Sequence, residues 1–542
     1  MAGTGERPRE SLHWPTLHDG TALASRSVML ATTLSASLLG LDASPIRVEV
    51  QATRGVPSFE LVGLAEAAVR ESRVRVKSAL AQLGVDISEY RIVVNLAPAD
   101  VKKTGSGFDL AIAAATLAAL RLVAPERLLG VIFLGELSLA GGVHSVRGVL
   151  PQLLGARPYG MTKAVVPRQN QGEAALVEGL DARTVATLAE LYAWLQGKEE
   201  LPRAQALPPT VEPPSHDDLA DVRGQPTARR ALEICAAGGH NLLMIGPPGA
   251  GKTMLARRLP GILPRPTAEE ALEITALHSV AGLLGPMQAL MRRRPFRAPH
   301  HTVSEVGLVG GGDAPRPGEV SLAHQGVLFL DELPEFRRSA LEALRQPLED
   351  GTVTISRSQG RATFPARPLV VCAMNPCPCG FQGDGTARCT CTPERVRAYR
   401  ARLSGPLLDR LDVHVALPPV SVTALHRGSR GEDTATVRER VQIARAIQTE
   451  RRARREVSGS TNATLASRDV EGVARICSVS EMLLTTAVSR LGLSARAYGK
   501  VLRVARTIAD LAGKDHVLPE HVAEAVSLRV LDRGGCGAAH AA

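Results

Sequence analysis

Apolar residues along the chain fall into runs of three characters. Over residues 21–197, short β-like runs such as "IRVEV", "YRIVVNLAP" and "GVIFLGEL" alternate with helical ones, which predicts a mixed unit of strands and helices. Residues 198–218, "KEELPRAQALPPTVEPPSHDD", carry five prolines among charged residues and read as an extended linker. Over 219–420 the apolar runs become continuous. "NLLMIG", "GVLFLDE" and "PLVVCAMNP" are of the kind buried on both faces of a parallel sheet. Just before the last of these, "GTVTISRSQGRATF" sets Val353 and Ile355 against Thr354 and Ser356, turns at "SQG" and returns, a β-hairpin with Arg357 and Arg361 flanking its tip. From 421 to 533 only helical periodicity remains, as where Val437, Val441 and Ala444 share one face. No fixed-period repeat is evident, so a solenoid is not expected.

A chain of 542 residues exceeds one ordinary core, so about three domains are expected. The first twenty residues are polar, and the longest apolar stretch, "LAIAAATLAALRLV", is interrupted by Arg121 and preceded by Asp109. Neither a signal peptide nor a membrane span is predicted. The eight cysteines are scattered singly except for one cluster, which does not read as a secreted disulfide framework and points to the cytoplasm. A formal net charge of +10 is compatible with a polyanionic partner.

The strongest chemistry follows "NLLMI". Gly246, Pro247, Pro248, Gly249, Ala250, Gly251, Lys252 and Thr253 spell GxxxxGK[ST] between a strand and the helical "MLARRLPGIL". Glycines let backbone N–H groups wrap phosphates, the helix N-terminus adds positive potential, Lys252 reaches the β- and γ-phosphates of ATP, and Thr253 ligates Mg2+. "GVLFLDE" ends in Asp331, placed to hold that Mg2+, and Glu332, placed to polarise the attacking water. "PLVVCAMNP" ends in Asn375, a polar amide at a buried strand tip that could orient the same water. "LSGPLLDRLDVHV" supplies Arg410 after a short helix.

This order of parts resembles an AAA+ ATPase: phosphate loop, acidic strand end, sensor asparagine, arginine finger and helical lid. More closely, "GPPGAGKTMLARRLPGILP", "FRAPHHTVSEVGLVGGG", "LFLDELPEF", "MNPCPCG" and "SGPLLDRLD" resemble the magnesium-chelatase-like ATPases of the ComM/YifB competence protein family. The resemblance runs from about Ser27 to about Arg533. It implies a second sensor arginine in the lid, matched in "LSARAYGKVLRVARTIADLAG" by Arg496, with Arg503 as substitute. It also implies a ring, a homohexamer, in which the hairpin at Arg357 and Arg361 and a second insertion at "GGG" face the pore and grip a phosphate backbone. The exposed-loop reading stays open for both insertions. The implied activity is an ATP-dependent motor on branched or single-stranded DNA, a helicase or branch-migration translocase for incoming DNA in natural transformation. Arg451, Arg452, Arg454 and Arg455 add basic surface to the lid. The alternatives are a chelatase-type or protein-remodelling ATPase and a Lon-like ATP-dependent protease.

The protease alternative comes from the N-terminal stretch. "FLGELSLAGGVHSVRGVLPQLLGA" and "KKTGSGFDLAIAAATLAAL" resemble the α+β proteolytic domain of Lon, a fold shared with domain 2 of ribosomal protein S5. Lon uses a Ser/Lys dyad in which a desolvated lysine serves as base. On the matching stretches the serine position falls on Gly107 and the lysine position on Leu150. Ser106 is one residue off, and Lys102 and Lys103 lie in another element, so a Lon-like fold without peptidase chemistry is expected.

The cysteine cluster remains. In "NPCPCGFQGDGTARCTC", Cys377, Cys379, Cys389 and Cys391 form two CxC pairs. Four thiolates in two close pairs can surround a tetrahedral Zn2+. Zinc knuckles usually use CxxC, and reduced thiols packed as small apolar groups or a redox pair stay open. Any zinc here would be structural, because the motif offers no open position and no base.

Overall fold

The computed structural model describes residues 29–206, 217–285, 290–312, 314–357, 360–385, 387–420, 430–454, 456–457, 459–491 and 494–531. Of the residues singled out above, those outside them include Ser27, Arg533, Arg455, Thr386 of the cysteine motif and the hairpin's Ser358 and Gln359.

The N-terminal part contains β1 (Met29–Leu39), β2 (Asp42–Arg54), β3 (Ser58–Val62), β4 (Tyr90–Ala97), β5 (Val131–Phe133), the small hairpin β6 (Glu136–Leu137) with β7 (Val143–His144), β8 (Lys163–Pro167) and β9 (Asp181–Val185). All but the β6–β7 hairpin join one sheet in the order β3-β4-β2-β1-β5-β8-β9. It is antiparallel where β1 and β4 flank β2 and parallel across β5, β8 and β9. The helix Asp109–Ala119, the apolar stretch noted above, is buried along its whole length. A helix apolar all round belongs inside a core. Its one charge, Asp109, is paired with Arg75 at 2.5 Å and accepts the Leu137 N–H at 3.0 Å. No described helix is long and apolar enough to cross a membrane.

The first residues of the expected linker are tied to the sheet edge, and its residues 207–216 lie outside the described ones. Arg203 bridges to Arg183 beside β9, the Thr184 N–H donates to the Pro202 carbonyl at 2.8 Å and the Ala204 N–H to the Ala182 carbonyl at 2.8 Å. Proline lacks a donor but keeps its acceptor, so Pro202 fits an edge position.

The middle part contains β10 (Leu242–Ile245), β11 (Phe296–Arg297), the pair β12 (Gly310–Gly311) and β13 (Arg316–Pro317), β14 (Val327–Leu330), the hairpin β15 (Thr352–Arg357) and β16 (Gly360–Pro365), β17 (Leu369–Met374) and β18 (Val413–Ala416). Five of them form a parallel sheet, β11-β14-β17-β10-β18. β10, β14 and β17 are buried at every residue, as expected of continuous apolar runs with helices on both faces. On one face Leu242, Met244, Val371 and Val413 pack with the helices Pro226–Gly238 and Lys252–Ile262 and with the C-terminal helices. On the other, Leu243, Leu328, Val370 and Cys372 pack with Val353, Ile355, Ala362 and Phe364 of the hairpin.

The C-terminal helices, among them Thr434–Ala453 and Ala495–Leu511, thus share a core with the sheet. Their entry is clasped by Asp218, whose carboxylate accepts both the N–H and the hydroxyl of Thr434 at 2.9 and 3.0 Å. The N-terminal domain is also docked on the sheet domain. The helix Ala268–Ala281 contributes Ala276 to an apolar cluster with Leu34, Val149 and Leu153, and Ser279 donates to the buried Glu173.

Candidate functional site

The chemistry gathers where the parallel strands end, the edge at which open α/β sheets bind ligands. β10 delivers Gly246, and a side chain there would meet the Leu417 carbonyl at 2.7 Å. Gly249 and Gly251 have φ of 77° and 91°, left-handed values that favour glycine. The loop can therefore wrap before the helix Lys252–Ile262 opens. The Lys252 ammonium is buried and donates to the carbonyls of Gly246 and Pro247 at 2.6 and 3.1 Å and to Asn375 Oδ1 at 3.0 Å. Burial lowers its pKa, and the charges of Asp331 and Glu332 oppose the shift. Phosphate oxygens would offer the same cation stronger acceptors than carbonyls do.

Thr253 follows on the first turn, and its hydroxyl donates to Asp331 Oδ2 at 2.8 Å. A hydroxyl and a carboxylate that converge at hydrogen-bond distance suit a hard cation that keeps several waters, as Mg2+ does. Glu332, next in the chain, is held at φ 52°, in the left-handed region that a non-glycine residue enters at a cost. Its N–H donates to Asp331 Oδ1 at 2.9 Å, which fixes the Asp331 carboxylate against the Glu332 backbone. The Glu332 side chain meets His301 Nδ1 at 3.1 Å. His301 stands in a tilted stack with His300, ring centroids 4.1 Å apart, and is edge-on to Phe336. Thr253, Arg257, Phe296, His300, His301, Asp331 and Glu332 line one cleft. The His301–Glu332 contact was not read from the sequence. Its only signal was the paired histidines of "APHHT", which carry no spacing rule.

Asn375 ends β17 beside the loop, and the Gly246 N–H donates to the Met374 carbonyl at 3.2 Å. Lys252, Thr253, Asp331, Glu332 and Asn375 are thus brought together. The arginines sit elsewhere. Arg410, after the short helix Gly405–Leu408, is paired with Glu349 in the helix Arg345–Asp350 that leads into β15. Its pKa is lowered by burial first and then by the cations of Arg496 and Arg345. Arg496 is largely exposed and lies 3.7 Å from Asp409, the residue before Arg410. The two candidate arginines therefore share one neighbourhood. Arg503, the substitute, is half-buried and donates to the Leu465 carbonyl at 2.9 and 3.1 Å, the geometry of a structural tie.

Arg357 and Arg361 are both exposed at the free end of the β15–β16 hairpin. Near that end a side chain at Gly360 would meet Leu39, and one at Gly40 would meet Ala362, so the β1–β2 turn of the N-terminal domain rests on β16. The "GGG" stretch forms β12 and its turn, pairing with Arg316 and Pro317. Of the basic lid residues, Arg451 is bound to Asp510 and Arg454 to Glu450.

In the N-terminal domain, Ser106 donates to the Glu136 carboxylate and not to a lysine. Lys103 is fully buried and donates to the Pro98 carbonyl. Leu150 is fully buried. The four clustered cysteines have their sulfurs within 4.8 Å of one another. The Phe381 N–H and neighbouring donors lower the pKa of the Cys379 thiol, while those of Cys389 and Cys391 are raised.

A phosphate loop, a hydroxyl–carboxylate pair and a strand-end asparagine on a β11-β14-β17-β10-β18 sheet, with a helical unit sharing its core, define an AAA+ module of the magnesium-chelatase type. Family comparison agrees. Residues 218–425 match the magnesium chelatase subunit ChlI family, 48–170 the family described as subunit ChlI of Mg-chelatase, and 431–529 the ChlI C-terminal family. YifB of Escherichia coli is 44% identical over 498 residues, covering 91% of this chain and 96% of the relative. Competence protein ComM of Haemophilus influenzae is 43% identical over 509 residues, covering 93% and 98%. The chain belongs to the magnesium-chelatase-like AAA+ family that includes YifB and ComM. A partial likeness, 26% over 196 residues and 34% of the chain, extends to Lon protease 2 of Bacillus subtilis.

Proposed function

We propose that this chain is an ATP-driven DNA motor that works as a ring, a homohexamer, and moves branched or single-stranded DNA during recombination of DNA taken up in natural transformation. The observation that carries the reading is that the candidate finger arginine is tied to the hairpin that exposes basic side chains. Arg410 grips Glu349 just before β15, whose far end exposes Arg357 and Arg361. The similarity to a competence protein over nearly the full length supports the biological setting.

In this reading Gly246 to Thr253 cradle ATP, and Thr253 and Asp331 hold Mg2+, which offsets charge on the β- and γ-phosphates. Glu332 takes up the proton of the attacking water, with His301 fixing its carboxylate, and Asn375 orients the water. Arg410 and Arg496, neighbours on one face, reach the nucleotide of an adjacent subunit. A finger of this kind contributes about 10³-fold or more in related NTPases. Nucleotide state reaches the hairpin when Arg410 exchanges Glu349 for phosphate.

The test is branch migration on a synthetic four-way junction at fixed salt, since phosphate contacts are strongly salt-dependent. Glu332→Gln should bind ATP and assemble without turnover. Arg357→Ala with Arg361→Ala should keep basal hydrolysis and lose its stimulation by DNA. Brisk hydrolysis by a chain that neither binds DNA nor moves a junction would replace the DNA motor with a protein-remodelling or chelatase-type ATPase. Cleavage of casein that is lost in Ser106→Ala would restore a peptidase.

A further inference from the structure

Between β17 and the helix Pro393–Arg400 the described residues from Asn375 to Thr392 form no helix or strand. Ordering such a loop costs about 1–2 kcal/mol of backbone entropy per residue. Contacts that offset this cost include Arg388, paired with Asp384 at 2.8 Å and lying over the Phe381 ring at 4.4 Å, and Arg400, which donates to the Pro376 carbonyl at 3.4 Å and to Gln382 Oε1 at 3.3 Å.

The four cysteine sulfurs converge within 4.8 Å of one another. Cys377 Sγ lies 3.4 Å from Cys379 Sγ and 3.8 Å from Cys389 Sγ, and Cys379 and Cys389 are 3.7 Å apart. Four thiolates at the usual Zn–S length of about 2.3 Å stand about 3.8 Å apart in a tetrahedron, whereas a disulfide requires about 2.05 Å. The Gln382 N–H points at Cys377 Sγ from 3.4 Å, the kind of outer contact that orients a metal ligand. All four positions are taken by protein, so the metal would have no open site for chemistry.

The knuckle is seated against the nucleotide site. Cys377 is two residues after Asn375, whose Oδ1 holds Lys252 at 3.0 Å. Gly380, at φ 85°, is so close to the phosphate loop that a Cβ there would lie 2.7 Å from Pro248 Cδ and 3.8 Å from Asn375 Cγ. We propose that Cys377, Cys379, Cys389 and Cys391 bind one zinc ion and that the resulting knuckle is a metal-dependent brace of the hydrolytic centre, holding Asn375 at Lys252. This rests on the ATPase reading above. Zinc loss lets the strand tip drift, so ATP still binds while turnover falls.

Metal analysis of the full chain purified without chelator should find near one zinc per chain. Zinc is then stripped with a chelator, excess Mg2+ is restored, and three quantities are compared with the zinc-loaded chain. Affinity for an ATP analogue should stay within about threefold, hydrolysis should fall at least about tenfold, and hydrogen exchange should rise in peptides spanning Leu369–Pro376 and Gly246–Gly251. Added zinc should reverse all of this. Cys391→Ser leaves three of the four thiols and should lose zinc and turnover together while affinity for the ATP analogue is kept, which keeps the test decisive if the stripped chain unfolds. A purified chain without zinc, or a stripped chain with unchanged exchange and turnover, overturns the brace. A zinc-loaded chain that never hydrolyses ATP overturns the ATPase reading instead, and exchange still decides the brace.

Discussion

Lys103 in the N-terminal domain and Lys252 in the phosphate loop are both buried, and burial pulls both ammonium groups below the ordinary lysine pKa. Burial is where they stop being alike. Lys252 sits at a helix start after a run of glycines, faces two carboxylates and is held by three acceptors that an incoming phosphate can replace. Lys103 donates to one carbonyl, that of Pro98, and its own backbone is locked by pairing with Leu64 and Glu66. The serine near it in sequence, Ser106, is committed to Glu136. A desolvated lysine becomes a reagent only when its surroundings offer it something to act on. By that measure one lysine is equipped to bind an anion, and the other fills a core.

The largest effect should come from removing each lysine in turn. Lys252→Ala removes the one side-chain cation in the loop and should abolish tight ATP binding and cut hydrolysis about 10³-fold, near the upper range for losing one preorganised donor. Lys103→Met should leave hydrolysis unchanged. Steady-state ATPase assays on both variants decide the matter, and equal losses would erase the distinction.

That distinction was only half visible in the sequence. Lys252 was legible because its whole context, strand, glycines and helix, is contiguous. So were Asp331, Glu332 and Asn375, each at the end of a continuous apolar run, and the hairpin, whose alternation became the buried Val353, Ile355, Ala362 and Phe364. What escaped were pairings that depend on topology. His301 meets Glu332, Arg410 meets Glu349 and Asp218 clasps Thr434 across separations for which no periodicity gives a signal. The burial of Lys103 was hidden for the same reason, since it depends on where the sheet passes. In the sequence Arg496 stands out by likeness alone, and its position beside Asp409 and Arg410 follows from how the helix Ala495–Leu511 packs.

A third lysine sharpens the comparison, because it has a true counter-ion. Lys500 Nζ lies 3.0 Å from Asp412 Oδ1, and the Asn241 N–H donates to the same carboxylate at 3.2 Å. Burial opposes ionisation of Asp412, yet Lys500 and nearby His240 outweigh it and hold the carboxyl well below the usual range. Asp412→Asn leaves Lys500 charged without its partner and should cost about 3 kcal/mol, read as a lower denaturant midpoint at pH 7. A depressed carboxyl contributes stability above its unfolded pKa, about 3.9, and loses it as pH falls through the folded value. The gap between wild type and Asp412→Asn should therefore be full at pH 7 and narrow below about pH 4. A gap that stays constant with pH would mean the aspartate acts through packing and not through its charge.

The smallest effect belongs to Lys103 itself, and its sign is informative. Lys103→Met removes a desolvated cation, which favours the variant, and leaves the Pro98 carbonyl without its donor, which favours wild type. These terms are of similar size, so stability at pH 7 should change by no more than about 1 kcal/mol. The pH dependence separates them. Burial places the folded pKa of Lys103 below the unfolded value, so between the two the unfolded chain holds a proton that the folded chain has released, and raising the pH stabilises the fold. Wild-type melting temperature should accordingly gain on that of Lys103→Met as pH rises toward the unfolded lysine pKa of about 10.4, with no gain below the folded value. Parallel curves would mean that the ammonium reaches water after all, and the contrast with Lys252 would then rest on partners alone and not on burial.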